Sequence, residues 1–261
     1  LDKEKSIITA ELLYGGRGIK ELFKSNFDHD LYIISAGLGL IHKKDPIPSY
    51  SLTVSKDTEV SINNFIKEGF DSSAWWNLVV QTKYSRPSIE EITYGSDIVL
   101  ISLTSPYLFM LSEEIKKINA TVILFTGNQS ILSKLGMSHL SSPYTDSFDG
   151  PNSLNKGAKV DFAQRIHSDF IRRYEKNSSI EEVISSIKRD MTNWKKPKIL
   201  HNQKQSDNEI LNKILENINN FNSASSLRRH FRHNLNIACE EKRFSKLYKN
   251  AKDIMNESTK N

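Results

Sequence analysis

The chain alternates short, unbroken apolar runs with longer amphipathic stretches, and the two patterns call for different elements. Leu31–Ser35 (Leu-Tyr-Ile-Ile-Ser), Ile98–Leu103 (Ile-Val-Leu-Ile-Ser-Leu) and Ala120–Thr126 (Ala-Thr-Val-Ile-Leu-Phe-Thr) have the length and composition of buried strands. Each ends on turn-forming residues: Ala36-Gly37-Leu38-Gly39, Thr104-Ser105-Pro106 and Gly127-Asn128. A helical pattern runs from Pro106 through Lys117, and Glu11–Lys24 and Val60–Glu68 supply further covering helices. Continuous apolar strands alternating with helices predict an α/β fold, a mostly parallel sheet covered by helices on both faces.

The pattern changes after residue 137. Residues 138–157 are rich in Ser, Asp, Asn and Gly, and a loop of that length is expected to be functional or mobile. Beyond Asp161, the spacing of Phe162, Ile166, Phe170 and Ile171 is helical, and Ile180–Trp194 continues as an amphipathic helix. Pro197 and the polar run His201–Asn208 read as a linker. Ile210–Ile218 is then a short helix that the Asn-rich Asn217–Asn222 ends. Ser225-Ser226 is placed to cap a helix from Leu227 to Arg232, His233–Asn236 reads as a turn, and a second helix covers Ile237–Tyr248. Leu227, Phe231, Leu235, Ala238, Phe244 and Leu247 would share one apolar seam. The expected organisation is an α/β pocket domain over 1–175 and a C-terminal basic helical appendage over 176–261.

Composition narrows the class. With 38% hydrophobic and 26% charged residues over 261 positions, the chain has material for a real core, which excludes wholesale disorder. No run approaches the roughly 18–20 apolar residues that cross a bilayer, and Leu1-Asp2-Lys3-Glu4-Lys5 is not a signal-peptide core. A soluble, cytoplasmic protein with no membrane partner is expected. The lone Cys239 excludes an intramolecular disulfide and a Cys-rich zinc module. No metal-ligand spacing stands out, so neither metal nor cofactor is expected.

Charge then adds a partner. The net charge of +5 is uneven: residues 160–261 hold 20 Lys and Arg against 13 Asp and Glu, and residues 1–159 hold 16 against 18. Residues 225–252 alone hold eight against two. Arg228, Arg229, Arg232, Lys242, Arg243 and Lys246 would give the helical hairpin a basic face able to neutralise phosphates, so DNA is the expected partner. A solvated face of a Lys-rich protein has the same composition.

Candidate chemistry gathers at the strand ends, where open parallel sheets bind ligands. Ser35, Gly37 and Gly39 follow the first strand, and Ser105 and Gly127-Asn128 would project to the same edge. A bare Gly-x-Gly specifies a tight turn before it specifies a ligand, and Ala36–Gly39 lacks the third glycine of a dinucleotide fingerprint. Tyr14 and Arg17 (Tyr14-Gly15-Gly16-Arg17), Asp45 and Tyr50, and Asp149 and Lys156 are further candidates. Asp45 before a proline also shapes a turn, and loop polarity accounts equally for Asp149 and Lys156. No Ser–His–Asp order, His-Glu-x-x-His or phosphate-binding Gly-x-x-x-x-Gly-Lys is present. Cys239 is either a small hydrophobe in the seam or a thiolate favoured by Lys242 and Arg243; Glu240 and Glu241 oppose the second reading.

Three segments carry a family resemblance. Glu11–Lys20 (Glu-Leu-Leu-Tyr-Gly-Gly-Arg-Gly-Ile-Lys), Leu31–Ile41 (Leu-Tyr-Ile-Ile-Ser-Ala-Gly-Leu-Gly-Leu-Ile) and Asp45–Thr53 (Asp-Pro-Ile-Pro-Ser-Tyr-Ser-Leu-Thr) resemble, in this order, three motifs of the peroxide-stress YaaA-like superfamily. They also resemble its relatives in bacterial DNA-modification and defence clusters, including those that place 7-deazaguanines in DNA. The likeness covers residues 10–55 closely and 1–160 loosely. Family members usually open with an apolar strand and a Cys- or Lys-containing turn, and here only Leu1–Ile8 precedes the Leu-Tyr segment, so no residue of that turn is carried over. The resemblance implies a DNA-acting protein, working with other proteins of such a cluster, that hydrates the nitrile of a 7-cyano-7-deazaguanine base to the amide. Asp45 or Asp149 would be the base, N–H groups near Gly37–Gly39 the donors, and Tyr14, Tyr50 or Tyr144 stacking surfaces for an extruded base. Two alternatives share the same features: a non-catalytic YaaA-type DNA binder in stress protection or phage defence, and a glycosidase-like nucleotide-processing enzyme.

Overall fold

The computed structural model describes residues 7–24, 29–56, 58–66, 69–175, 179–198 and 203–258. The chain divides into two units, Leu1–Pro197 and Lys198–Asn261.

The first unit begins with β1 (Ile7–Thr9), α1 (Ala10–Leu13), α2 (Arg17–Phe23), β2 (Tyr32–Ser35), β3 (Gly39–His42) and β4 (Pro46–Pro48). It continues with α3 (Ser72–Val79), α4 (Ile89–Ile92), β5 (Ile98–Ser102), α5 (Ser105–Lys116), β6 (Thr121–Phe125), α6 (Gln129–Lys134), α7 (Phe162–Tyr174) and α8 (Ile180–Asn193). The fold is mixed α/β. Among the described strands of this unit only β5 and β6 pair in parallel, with Ile98 opposite Thr121; β1–β4 and β2–β3 are antiparallel. The expected run of parallel strands fails at Leu31–Ser35 for a covalent reason. Three residues, Ala36–Leu38, join β2 to β3, enough for a hairpin, whereas a parallel partner needs a crossover of a dozen or more. Gly39 closes the hairpin at φ +83°, and a Cβ there would fall 2.4 Å from Ser85 Oγ.

Other elements also depart from expectation. Glu11–Lys24 is two short helices because Tyr14-Gly15-Gly16 interrupts the first, and glycine weakens a helix interior. Val60–Glu68 contributes only a 3-10 turn at Ile62–Asn64, and its Lys67 and Glu68 lie outside the described residues. Strands β1, β3 and β4 and helices α3, α4 and α6 form where no element is expected.

β5 and β6 separate two apolar layers. On one face lie Leu108, Leu111 and Ile115 of α5 with Trp76 and Ile89; on the other, Ile166 and Phe170 of α7 pack with Val183 and Ile187 of α8, Phe125 and Phe148. Alternate residues of β5 divide between them: Val99 and Ile101 pack on the first layer, Leu100 on the second. This second layer moves the domain boundary from the expected 175 to 197–198, because α8 buries its apolar stripe within it. An Arg173 fork bonds Asp169 at 2.8 Å and Asp190 at 2.7 Å, tying α8 to α7.

The second unit contains β7 (Gln203–Lys204), α9 (Asp207–Asn217), α10 (Ala224–His233), β8 (Ile237–Ala238) and α11 (Glu241–Ser258). Ser206 and Glu209 form a reciprocal capping box on α9. Ser223, not Ser225, caps α10, and Ser226 is the third helical residue. Ile237-Ala238 pairs in parallel with Gln203-Lys204 instead of starting the last helix. Leu227, Phe231, Phe244 and Leu247 are buried as expected, whereas Leu235 is 37% exposed and outside the seam.

Ile187→Ala should therefore destabilise the first unit by about 2–5 kcal/mol, the cost of a large-to-small change at a fully buried site. All three tryptophans (Trp75, Trp76 and Trp194) lie in that unit, so urea unfolding followed by tryptophan fluorescence reads the effect. An unchanged midpoint would remove α8 from the core.

Candidate functional site

The sequence candidates that meet do so around Tyr50. Tyr14 stands where α1 stops, Ser35 ends β2, and Tyr50 follows β4, which the β1 ladder holds in place. The Tyr50 hydroxyl lies 2.5 Å from the Tyr14 hydroxyl and 2.5 Å from Ser35 Oγ, and Leu38 N–H donates to Ser35 Oγ at 3.0 Å. Gly37 is needed beneath the ring, since a Cβ there would fall 2.9 Å from Tyr50 Cε2. Trp75 Nε1 donates to the Ala36 carbonyl at 2.7 Å and holds the hairpin loop from the other side.

Of this cluster Tyr14 lines a cleft of about 680 Å³, which Thr104 and Tyr107 also line at the C-terminal end of β5. Burial, with the Tyr50 phenol beside it, pushes the Tyr14 pKa far above its ordinary range; burial also raises Tyr107, which hydrogen-bonds Thr53. Both remain neutral phenols. The site thus offers neutral donors and acceptors beside an apolar cleft, which suits recognition of a planar polar ligand edge better than stabilisation of a charge.

The other candidates lie elsewhere. Asp45 sits beyond the far end of β3 from the Gly37 turn, accepts His42 N–H at 2.9 Å, and is forked by the Arg86 guanidinium. Burial raises its pKa, but the Arg86 and His42 bonds outweigh that and hold the carboxyl below its usual range. The expected pocket of Ser35, Gly37, Asp45 and Tyr50 therefore loses Asp45. Asp149 is bound by Arg165 at 2.7 Å, and Arg165 also donates to the Asn155 carbonyl at 2.7 Å and the Ala158 carbonyl at 3.1 Å. That clamp fastens the long polar loop to α7. Tyr144, expected as a stacking surface, is fully buried and donates to Asp169 at 2.7 Å. Arg17 and Lys156 are exposed, Ser105 is the half-buried first residue of α5, and Gly39 is spent on the hairpin. No group of three His, Cys, Asp or Glu able to hold a metal occurs among the described residues.

No family model, curated protein or solved structure matches this chain.

One pair escaped the sequence reading. Ser102 Oγ and His167 Nδ1 are 2.7 Å apart and both line the cleft. The only signal was a polar residue ending an apolar strand and a lone histidine on the apolar face of α7. Burial lowers His167 to about 3, and its ring stacks on Phe125 with centroids 4.7 Å apart. A base that weak is poorly matched to proton abstraction at neutral pH. The pair is a neutral polar anchor.

In the second unit, the six basic candidates separate into two groups. Arg228 pairs with Glu241 at 2.8 Å, and Arg243 pairs with Asp207 at 2.6 Å while donating to the Gln205 carbonyl. Arg229, Arg232, Lys242 and Lys246 are exposed and have no ion-pair partner among the described residues. Cys239 is half-buried beside the core of this unit, and burial pushes its thiol pKa up, which fits packing rather than nucleophilic attack.

His167 makes the first unit acid-sensitive. A depressed folded pKa contributes stability that is complete above the unfolded value of about 6.5 and is lost as pH falls toward 3. The unfolding free energy from urea titration should fall between pH 6.5 and 5, by at most about 1.4 kcal/mol per pH unit. His167→Phe, which keeps the ring stack, should flatten this window. An identical slope in both proteins would show that His167 does not titrate there.

Proposed function

We propose that this chain is a DNA-binding protein whose second unit holds the phosphate backbone. One observation carries the reading: Arg229 and Arg232 stand three apart on α10, Lys242 and Lys246 four apart on α11, and all four are exposed and free of ion pairs among the described residues. Such spacings put charges on one side of a helix. Cations uncommitted within the fold are those whose counterions a polyanion releases. Arg228 and Arg243, in contrast, brace the unit.

Within the first unit, the Tyr14–Tyr50–Ser35 cluster would be the point at which a base edge or other planar group is read. The YaaA-like resemblance of residues 10–55 supports placing recognition there, since all three residues fall in its motifs. Between the binding and the nitrile-hydrating readings, binding is favoured: Asp45 and Asp149, the bases that hydration would use, each neutralise an arginine and stand apart from the cluster.

Duplex DNA binding by the full chain, titrated between 50 and 200 mM salt, tests the proposal. Replacing Arg229, Arg232, Lys242 and Lys246 together by Ala should weaken binding at every sequence and flatten the log–log salt slope by about 0.9 for each phosphate that is no longer neutralised. Arg243→Ala should lower stability more than slope. Salt-independent binding, or binding indifferent to the four changes, would refute it.

A further inference from the structure

The cleft beside the tyrosine cluster has an unusual construction, independent of any DNA role. Its long walls are two strand edges, with Tyr32–Ile34 of β2 on one side and Ile98–Ser102 of β5 on the other. Backbone bonding fixes which groups face it. Thr121 N–H donates to the Asp97 carbonyl and Leu103 N–H to the Phe125 carbonyl, each at 3.1 Å. In the even alternation of a parallel ladder, Asp97, Val99, Ile101 and Leu103 therefore bond β6, and the N–H and C=O of Ile98, Leu100 and Ser102 point the other way. Lys43 N–H donates to the Leu31 carbonyl at 3.0 Å, so in the antiparallel ladder Leu31, Ile33 and Ser35 bond β3 while Tyr32 and Ile34 point away.

The outer edges of the same two pairs carry partners. On β3, Leu40 N–H donates to Ser85 Oγ at 2.9 Å, and the Leu40 carbonyl accepts Arg86 N–H at 2.6 Å. On β6, the Leu124 carbonyl accepts Ser142 N–H at 3.0 Å. Among the described residues no ladder joins the inner edges. All five β5 residues, an apolar run, are only half-buried, whereas four of five β6 residues are buried. Above and below the gap, the lining is mainly apolar, with Ile92 and Leu111 on one side and Phe170 and Ile171 on the other, interrupted by polar groups such as Thr93, Gln164 and His167.

We infer that this cleft receives an extended apolar strand, supplied by a polypeptide other than residues 1–261. The strand pairs with both inner edges and joins β3–β2 and β5–β6 into one sheet. A small apolar ligand would fill volume and leave two rows of peptide groups unpaired; a strand satisfies both at the strand repeat. Five residues span about 17 Å, the length of β5. Its side chains meet apolar layers on both faces, so the sequence is continuously apolar rather than alternating. A second copy of this chain has no spare donor among its described strands: those over 7–9, 32–35, 39–42, 98–102 and 121–125 are already paired, and residues 1–6 are mostly charged.

A fluorescein-labelled peptide, Lys-Lys-Val-Ile-Val-Val-Ile-Lys-Lys, tests this by fluorescence polarisation with the full, unmodified chain, alongside sedimentation of the protein alone. Two further peptides carry N-methyl groups on alternate apolar residues, one set on each edge. The unmethylated peptide should bind saturably, and each methylated peptide at least tenfold more weakly, because each loses its donors toward one wall. Absence of binding at millimolar peptide, or equal binding of all three, would overturn the inference. Self-association of the protein that excludes the peptide would overturn it in favour of a second copy. None of these results depends on DNA.

Discussion

Peptide groups must be paired wherever water is displaced, and that requirement organises the first unit around one gap. Tyr32 and Ile34 on β2, and Ile98, Leu100 and Ser102 on β5, turn their backbone groups toward a cleft flanked by apolar helices. Around that cleft, pairing is resolved locally. Ser85 and Arg86 seal β3, Ser142 seals β6, and α5 and α7 cover the two faces. An unpaired peptide group away from water costs about 1–3 kcal/mol. The edges therefore either keep access to solvent or take a partner, and exposed edges are templates for another strand.

The same cleft explains why the polar groups beside it are quiet. Burial keeps Tyr14 and Tyr107 as neutral phenols and His167 as a neutral imidazole, so hydroxyls and one ring nitrogen bond each other instead of ionising. The two candidate aspartates stand away from the cluster, in the Asp45–Arg86 and Asp149–Arg165 pairs that pin a turn and a loop. The second unit does the reverse: a small apolar core carries two helices whose outer cations are uncommitted.

Strand existence was readable wherever the apolar run was continuous. Ile98–Ser102 and Thr121–Phe125 fell where expected, and so did α7 and α8, whose stripes repeat at helical spacing. Pairing was less legible. Leu31–Ser35 has the pattern of a strand feeding a crossover, although Gly39-Leu40-Ile41-His42 directly after the turn carries the hairpin signal. β1 and β4 are three residues each, with prolines at both ends of β4, too short to leave a pattern. Of the four residues expected at one strand-end pocket, Ser35, Gly37 and Tyr50 lie together and Tyr14 joins them, whereas Asp45 does not, because a four-residue strand carries the chain to the other end of the hairpin. Arg86 and Arg165, which decide the fate of both aspartates, lie 41 and 16 residues away and carry no local signal. The Ser102–His167 pair spans 65 residues and was invisible for the same reason.

The central claim is that β2 and β5 face each other as unpaired edges, and amide hydrogen exchange of the isolated protein reads it residue by residue. Along β5, the amides of Val99, Ile101 and Leu103, which bond β6, should be strongly protected, while Ile98, Leu100 and Ser102 exchange orders of magnitude faster. Along β2, Ile33 should be protected, with Tyr32 and Ile34 fast. Uniform protection along both strands would mean that the two edges are already joined, and would contradict the account.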